Sequence, residues 1–320
     1  MTNFWSTLPK PFFVMAPMED VTDTVFRQII RKCGAPDVFF TEFTNADGLF
    51  SRGYEYVARR LVHTSIEQPL IAQIWGTNPD NFYKAGKLLY ERGFVGIDIN
   101  MGCPEKGITA RGACSGLINN PPLAKEIVQA TQEGSHGLPV SVKTRLGFKE
   151  MITEEWASFL LNLDLEALTI HGRTAKEMSE VPAHWDEIGK VVKLRDKMEK
   201  HTVIIGNGDI VSRQDGLDKV AEYGLDGIMI GRGIFKDPWI FNKDHFGDAV
   251  TQKEKLEMYL EHVRLYEKTW EDTKYFPVLK KFAKCYINTV DGASEMRDTL
   301  MHIEDFKEYK SQLEKYLSGI

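Results

Sequence analysis

Several short segments of this sequence put reactive side chains where a strand would end. Val140–Gly147 carries Lys143 and Arg145, Ala167–Arg173 ends in His171 and Arg173, and Val203–Ile210 ends in Asn207, Gly208 and Asp209. Gly227–Ile234 contains Gly231 and Arg232, and Gly96–Gly102 leads through Asn100 to Cys103. Earlier runs finish on Pro17 and Met18, on Glu42 and on Gln73. A lysine in such a place can form a Schiff base with a carbonyl substrate or hold its charge against an anion. Beside a flavin it would stabilise the negative charge of the reduced ring. His171 can donate a hydrogen bond to the same cofactor, or it can be a satisfied core histidine. The glycines around Asn207 and Arg232 let backbone N–H groups approach a phosphate, and Arg232 adds a forked donor.

These residues need a scaffold that brings strand ends together. Apolar, β-branched runs recur at Phe12–Met18, Val38–Phe43 and Leu70–Gly76, and then at the five segments named above. Amphipathic stretches lie between them: Thr22–Lys32, Pro79–Arg92, Pro122–Glu133, Thr153–Leu163, His184–Lys197 and Ser212–Tyr223. Strand–helix alternation implies parallel strands with right-handed crossovers, and eight such units predict a closed (β/α)8 TIM barrel. Active sites in such barrels sit at the C-terminal strand ends, with phosphate held after the last two strands. The second unit is the least regular, since 45–63 is rich in Arg, Tyr and Gly. From about Gln252 the pattern is helical only, with a turn at Asp291-Gly292. The fold class read here is therefore α/β: a barrel over residues 1–245, then a small all-helical domain over 246–320.

Composition narrows the function. With 42% hydrophobic and 27% charged residues the chain can bury a core and stay soluble. No run is long enough for a membrane span, and the start lacks a secretory pattern, so a cytoplasmic monomer is expected. Cys33, Cys103, Cys114 and Cys285 form no metal-ligand spacing, so no metal is expected. A net charge of −6 speaks against a general nucleic-acid binder, which usually has a basic excess.

The segments Ala16–Met18, Thr41–Phe43, Asn100–Pro104 (Asn-Met-Gly-Cys-Pro), Ser141–Gly147 (Ser-Val-Lys-Thr-Arg-Leu-Gly), His171–Thr174 (His-Gly-Arg-Thr), Asn207–Asp209 and Ile230–Gly233 occur in order and at barrel spacing. Together they resemble the tRNA-dihydrouridine synthases over nearly the whole barrel. That resemblance implies FMN as cofactor, NADPH as hydride donor and reduction of the C5–C6 double bond of uridine in tRNA. It implies that Cys103 protonates C5, and an unperturbed thiol would be mostly protonated at neutral pH. It further implies that Pro17 and Met18 line the flavin ring and that Gln73 and Lys143 address its polar edge. His171 would lie near ring or phosphate, and Asn207, Gly208, Asp209, Gly231 and Arg232 would hold the phosphate end. Asn100, Arg145 and Thr174 are left for the uracil and its ribose, while Cys114 reads as a small packing residue. The loops after Cys103 and after Thr174 depart from the family's usual pattern.

A tRNA enzyme of this acidity must concentrate its positive charge. Lys274, Lys280, Lys281 and Lys284 fall in a window without an acid, and Pro277 is placed to open a helix there. On an α-helix Lys280 and Lys284 would share one face with Lys281 beside them, giving a phosphate-contacting stripe or simply a solvated face. The rival to the whole reading is an FMN barrel acting on a free small molecule such as dihydroorotate or an enone.

Overall fold

The computed structural model describes residues 4–271, 273–288 and 292–319. Its strands are β1 (Phe12–Met15), β2 (Phe39–Phe40), β3 (Thr44–Asn45), β4 (Leu70–Trp75), β5 (Gly96–Met101), β6 (Val140–Arg145), β7 (Ala167–His171), β8 (Val203–Asn207) and β9 (Gly227–Ile230). All pairings are parallel, in the order β1-β9-β8-β7-β6-β5-β4-β2, and a Val14–Val38 bridge joins the two ends. This is the expected eight-stranded α/β barrel. Buried on both faces, the strands are near-continuous apolar runs, as in Leu-Ile-Ala-Gln-Ile-Trp of β4. Phe12, Val14, Phe40, Ile71, Ile205 and Met229 fill the barrel interior, and Trp5 closes it from below.

The second unit differs from the expected strand over Val38–Phe43. Its ladder is interrupted between β2 and β3, both of which pair with β4. The Thr41 hydroxyl causes the break: it accepts the Gln73 N–H at 3.0 Å, where a strand would offer a carbonyl, and donates to Glu42 O at 2.8 Å. A short helical loop, Ala46–Leu49 and Tyr54–Leu61, follows in place of a long helix.

The other crossovers are helices with side-chain caps. Asp23 caps α1 (Thr24–Gly34) by accepting from Phe26 N at 3.0 Å, and Asn78, Asn120 and Ser212 cap Pro79–Glu91, Pro121–Gly134 and Arg213–Tyr223. Each such cap satisfies an otherwise orphan helix-start N–H.

From Gln252 onward the described residues are helical. Gln252–Trp270 opens on a Thr251/Glu254 capping box, and Ala293–His302 and Phe306–Ser318 follow. Of the expected Asp291-Gly292 turn, Asp291 lies outside the described residues, whereas Gly292 starts a helix with φ +72°. This region docks on α1. Phe26 lies 5.6 Å from His262 and 4.7 Å from Phe282, ring to ring. Asp23 accepts from Trp270 Nε1 at 2.9 Å and from Lys274 Nζ at 2.8 Å. No helix among the described residues is long and apolar enough to cross a membrane.

Candidate active site

The parallel register aligns the reactive residues at one end of the barrel: Asn100 opposite Lys143, Arg145 opposite His171, and His171 opposite Asn207. There they line two cavities with shared walls. One, of about 260 Å³, runs from Ala16 and Met18 to Asn207, Gly208, Gly231 and Arg232. The other, of about 330 Å³, is bounded by Gln73, Asn100 and Cys103. Pro17, Met18, Lys143, Arg145 and His171 line both, so the two make one elongated site.

At the far end, Gly208 has φ +138°, a conformation that favours glycine, and an added Cβ would lie 2.7 Å from Ala183. A Cβ on Gly231 would meet nothing closer than Ala16 at 3.5 Å, so its absence leaves open space beside the cavity wall. Two of the residues expected there act through their neighbours. Asn207 Nδ2 donates to Met229 O at 2.8 Å and ties β8 to β9. Asp209 accepts from Arg232 Nη2 at 3.0 Å and also from Arg173, so its carboxylate steers two guanidiniums. Arg173 lies buried on the expected strand end and was given no task by the sequence. Its Nη1 lies 3.0 Å from His171 Nε2, and guanidinium can only donate. Nε2 therefore accepts and the proton sits on Nδ1. Burial, reinforced by Lys143 and the surrounding arginines, drives the imidazole pKa far below its ordinary value. His171 is thus a neutral Nδ1–H donor at physiological pH.

In the middle, burial pushes the Lys143 ammonium down to about 8, Arg145 adds to this, and Asp98 opposes it. Asp98 was missed by the sequence reading. It is fully buried on β5, raised to about 6 by burial, and accepts from Ser141 Oγ at 2.6 Å and Gln73 Nε2 at 2.7 Å. Gln73 Oε1 in turn accepts from Asn100 Nδ2 at 2.9 Å, and Asn100 Oδ1 accepts from Gly102 N at 3.0 Å and Cys103 N at 2.9 Å. Each amide keeps one further N–H hydrogen, and both residues line the cavity.

Two expectations need correction here, and Arg145 gains a further role. Arg145 is buried and spends Nε on Gly102 O at 2.7 Å and Nη1 on Thr174 O and Met178 O, both at 2.8 Å. It staples the loop after β5 to the loop after β7 as well as lining both cavities. Thr174 is buried, and its hydroxyl accepts from Glu177 N at 3.2 Å while its N–H donates to Glu177 at 2.7 Å. Its polar groups serve a loop turn. The Lys280–Lys281–Lys284 stripe does not form, because Phe276–Phe282 is a 3-10 helix and the α-helical turn Ala283–Tyr286 begins only after it. Lys280 is buried with Nζ on Met301 O at 2.9 Å, Lys281 reaches Asp20 O, and Lys284 is exposed.

Cys103 is half-buried, and the other three cysteines are buried. A hydrogen bond from the Cys114 thiol brings Cys103 down to about 7, against the opposing effect of burial, and pushes Cys114 well up. Cys114 is therefore placed to act on Cys103 as well as to pack, and the Cys103 thiol ionises more readily than an ordinary thiol. In Cys114→Ala the Cys103 pKa should return toward about 8.5, the ordinary thiol value. At pH 7 iodoacetamide should then modify Cys103 about tenfold more slowly than in the wild type. An unchanged pH profile of alkylation would refute the role given to Cys114.

The dihydrouridine synthase family model matches residues 14–320. The probable tRNA-dihydrouridine synthase 2 of Bacillus subtilis strain 168 is 46% identical, over 99% of this chain and 99% of its own. The probable tRNA-dihydrouridine synthase of Staphylococcus aureus strain COL is 45% identical, over 98% of this chain and 95% of its own. Among solved structures, an old yellow enzyme homologue from Zymomonas mobilis has a TM-score of 0.50 at 13% identity, covering 72% of this chain and 89% of that one. DHODH from Eimeria tenella, in complex with ferulenol, has a TM-score of 0.50 at 14% identity, covering 69% of this chain and 76% of that one. At such identities these two structures speak to the barrel fold alone. The match over nearly the whole length, together with motifs that converge on one cavity, means that this chain belongs to the dihydrouridine synthase family.

Proposed function

We propose that this protein reduces the C5–C6 double bond of uridines in tRNA to give dihydrouridine, using FMN and NADPH. The observation that carries the reading is a single site with a half-buried thiol at one end and an arginine-flanked glycine cradle at the other. The donor set suits FMN. Gly208, Gly231 and Arg232 would hold the phosphate, Pro17 and Met18 the ring face, and Gln73, Lys143 and the His171 Nδ1–H the acceptor-rich ring edge. When bound, FMN supplies hydride to C6 after being reduced by NADPH. The protein's own tasks are to keep a positive charge at Lys143 and a proton on Cys103 Sγ for delivery to C5. Arg145 and Asn100 hold the loops that carry the thiol.

The test is an assay of the purified protein with NADPH and a tRNA transcript free of modification. Dihydrouridine should appear on nucleoside mass spectrometry, and the protein should carry flavin absorbance. NADPH oxidation driven by dihydroorotate or an enone, with no dihydrouridine formed in tRNA, would favour the small-molecule rival instead.

For RNA binding, the geometry leaves Lys284 as the candidate from the expected stripe, since the Lys280 and Lys281 ammoniums are spent on Met301 O and Asp20 O. Replacing it by Ala should remove one phosphate contact and flatten the log–log salt dependence of tRNA binding by roughly 0.7–0.9 units. An unaltered slope means the backbone is gripped elsewhere, with Lys106 and Arg111 on the Cys103 loop the next to test.

A further inference from the structure

The buried chain from Ser141 to the Cys103 loop has a direction, and Asp98 is where it ends. From the loop, Gly102 N and Cys103 N donate to Asn100 Oδ1, Asn100 Nδ2 donates to Gln73 Oε1, and Gln73 Nε2 donates to Asp98 Oδ2. An amide can be turned over at little cost in shape, so two consecutive amides could run either way. Here both ends forbid the reverse. Backbone N–H groups need an acceptor at one end, and an ionised carboxylate can only accept at the other. The Ser141 hydroxyl occupies the second Asp98 oxygen, so the carboxylate is satisfied from both sides.

We propose that Asp98 is a positioning residue: its carboxylate fixes the orientation of Gln73 and Asn100, so that Asn100 presents a carbonyl oxygen to the Cys103 loop. The catalytic meaning of this rests on the assignment of Cys103 as proton donor, but the geometry does not. The charged groups facing Asp98 come from one neighbouring strand: Lys143 on β6 lies near enough to act on it electrostatically, while its contacts on β4 and β6, Gln73 and Ser141, are neutral. Around Cys103 the corresponding groups are Cys114, Arg145 and Glu105. A donor-only or apolar group at position 98 would release the amides. The two backbone N–H groups would then alone hold the Asn100 amide, and its hold on the loop would weaken.

The direction can be tested by moving the carboxylate. Asn100→Asp keeps an acceptor for the loop but also sets one against Gln73, which cannot donate to Asp98 and to position 100 in its present pose. Adding Asp98→Asn restores a full set of partners with the middle of the chain reversed: Asn at 98 donates to Gln73 Oε1, and Gln73 Nε2 donates to the new carboxylate. Adding Asp98→Ala instead removes the like charge but offers no donor, and so controls for simple repulsion. All variants are read, in the protein as isolated, by melting temperature and by iodoacetamide alkylation of Cys103 at pH 7. The extra charge at 100 is common to all three, so differences among them isolate the chain. We expect N100D to melt lowest. We expect alkylation in N100D to slow by about tenfold, as the thiol pKa moves from about 7 toward the ordinary value. D98N/N100D should recover most of the lost melting temperature and at least about threefold of the rate, on the basis that a buried amide with matched partners outranks one without. D98A/N100D should recover neither. A D98N/N100D protein no better than D98A/N100D on both measures, folded or not, overturns the proposal. These readouts involve neither tRNA nor NADPH, so their failure leaves the proposed reaction standing, and failure of the tRNA assay leaves this inference standing.

Discussion

Cys103→Ala should lose about 10²–10⁴-fold in the rate of tRNA reduction, the usual contribution of a positioned general acid. The loss should fall on the chemical step, because the thiol lies outside the cradle made by Gly208, Gly231 and Arg232. Flavin content and the rate of NADPH oxidation without tRNA should therefore stay close to those of the wild type. A pH signature belongs to the same prediction. The acid form of a thiol titrating near 7 is lost as pH rises through that value, so the Cys103-dependent rate should decline on the alkaline side. Retention of more than about a tenth of wild-type turnover in the alanine variant would remove Cys103 from the role of acid.

Glu67→Ala should destabilise the fold by about 3–5 kcal/mol, the range for breaking one side of a buried ion pair. Glu67 and Arg27 are both wholly buried, with Nε to Oε2 at 2.6 Å. Glu67 Oε1 also accepts from Thr24 Oγ1 at 2.6 Å and from Thr64 N at 2.7 Å. The remaining Arg27 nitrogens are committed to Thr22 O at 2.5 Å and Val62 O at 2.8 Å. Deleting the carboxylate strands a guanidinium that cannot discharge its proton and cannot reach water. Urea unfolding should show a lower midpoint with an unchanged slope. A loss under about 1 kcal/mol would mean that water enters and solvates Arg27.

Much of the barrel could be read from the sequence because its strands are buried on both faces. Runs such as Val203–Asn207 have no competing interpretation when an amphipathic helix follows each one. The second unit escaped because its break depends on one hydroxyl, Thr41, standing in for a carbonyl on Gln73. Strand ends were legible because polar residues abruptly close apolar runs, which marked Lys143, His171, Asn207 and Cys103 and brought them to one cavity. Asp98 was passed over although a carboxylate between two isoleucines is itself a signal: alternation puts it on the same face as Asn100, inside the barrel. The Cys103–Cys114 contact joins two points of one irregular loop, and no periodicity encodes that. Lys280 was misplaced for a local reason, since a change from 3.6 to 3.0 residues per turn rotates a side chain onto another face. The part that Arg145 and Thr174 take in loop geometry is visible only in the folded chain.

The docking of the helical region on Asp23 bears on how far this chain is modular. One carboxylate serves as the cap of α1 and as the anchor for Trp270 and Lys274, and Phe26 on the same helix is packed by His262 and Phe282. Met18, a wall of the candidate site, lies one short turn before that cap, its N–H bonded to Thr22 Oγ1 at 3.0 Å. A barrel separated from its carboxy-terminal helices would expose an aromatic face and lose the ties that steady the approach to its own active site. Recombination that exchanged those helices for another segment would have to replace the α1 surface in the same event. The two parts are therefore constrained to change together at the α1 surface.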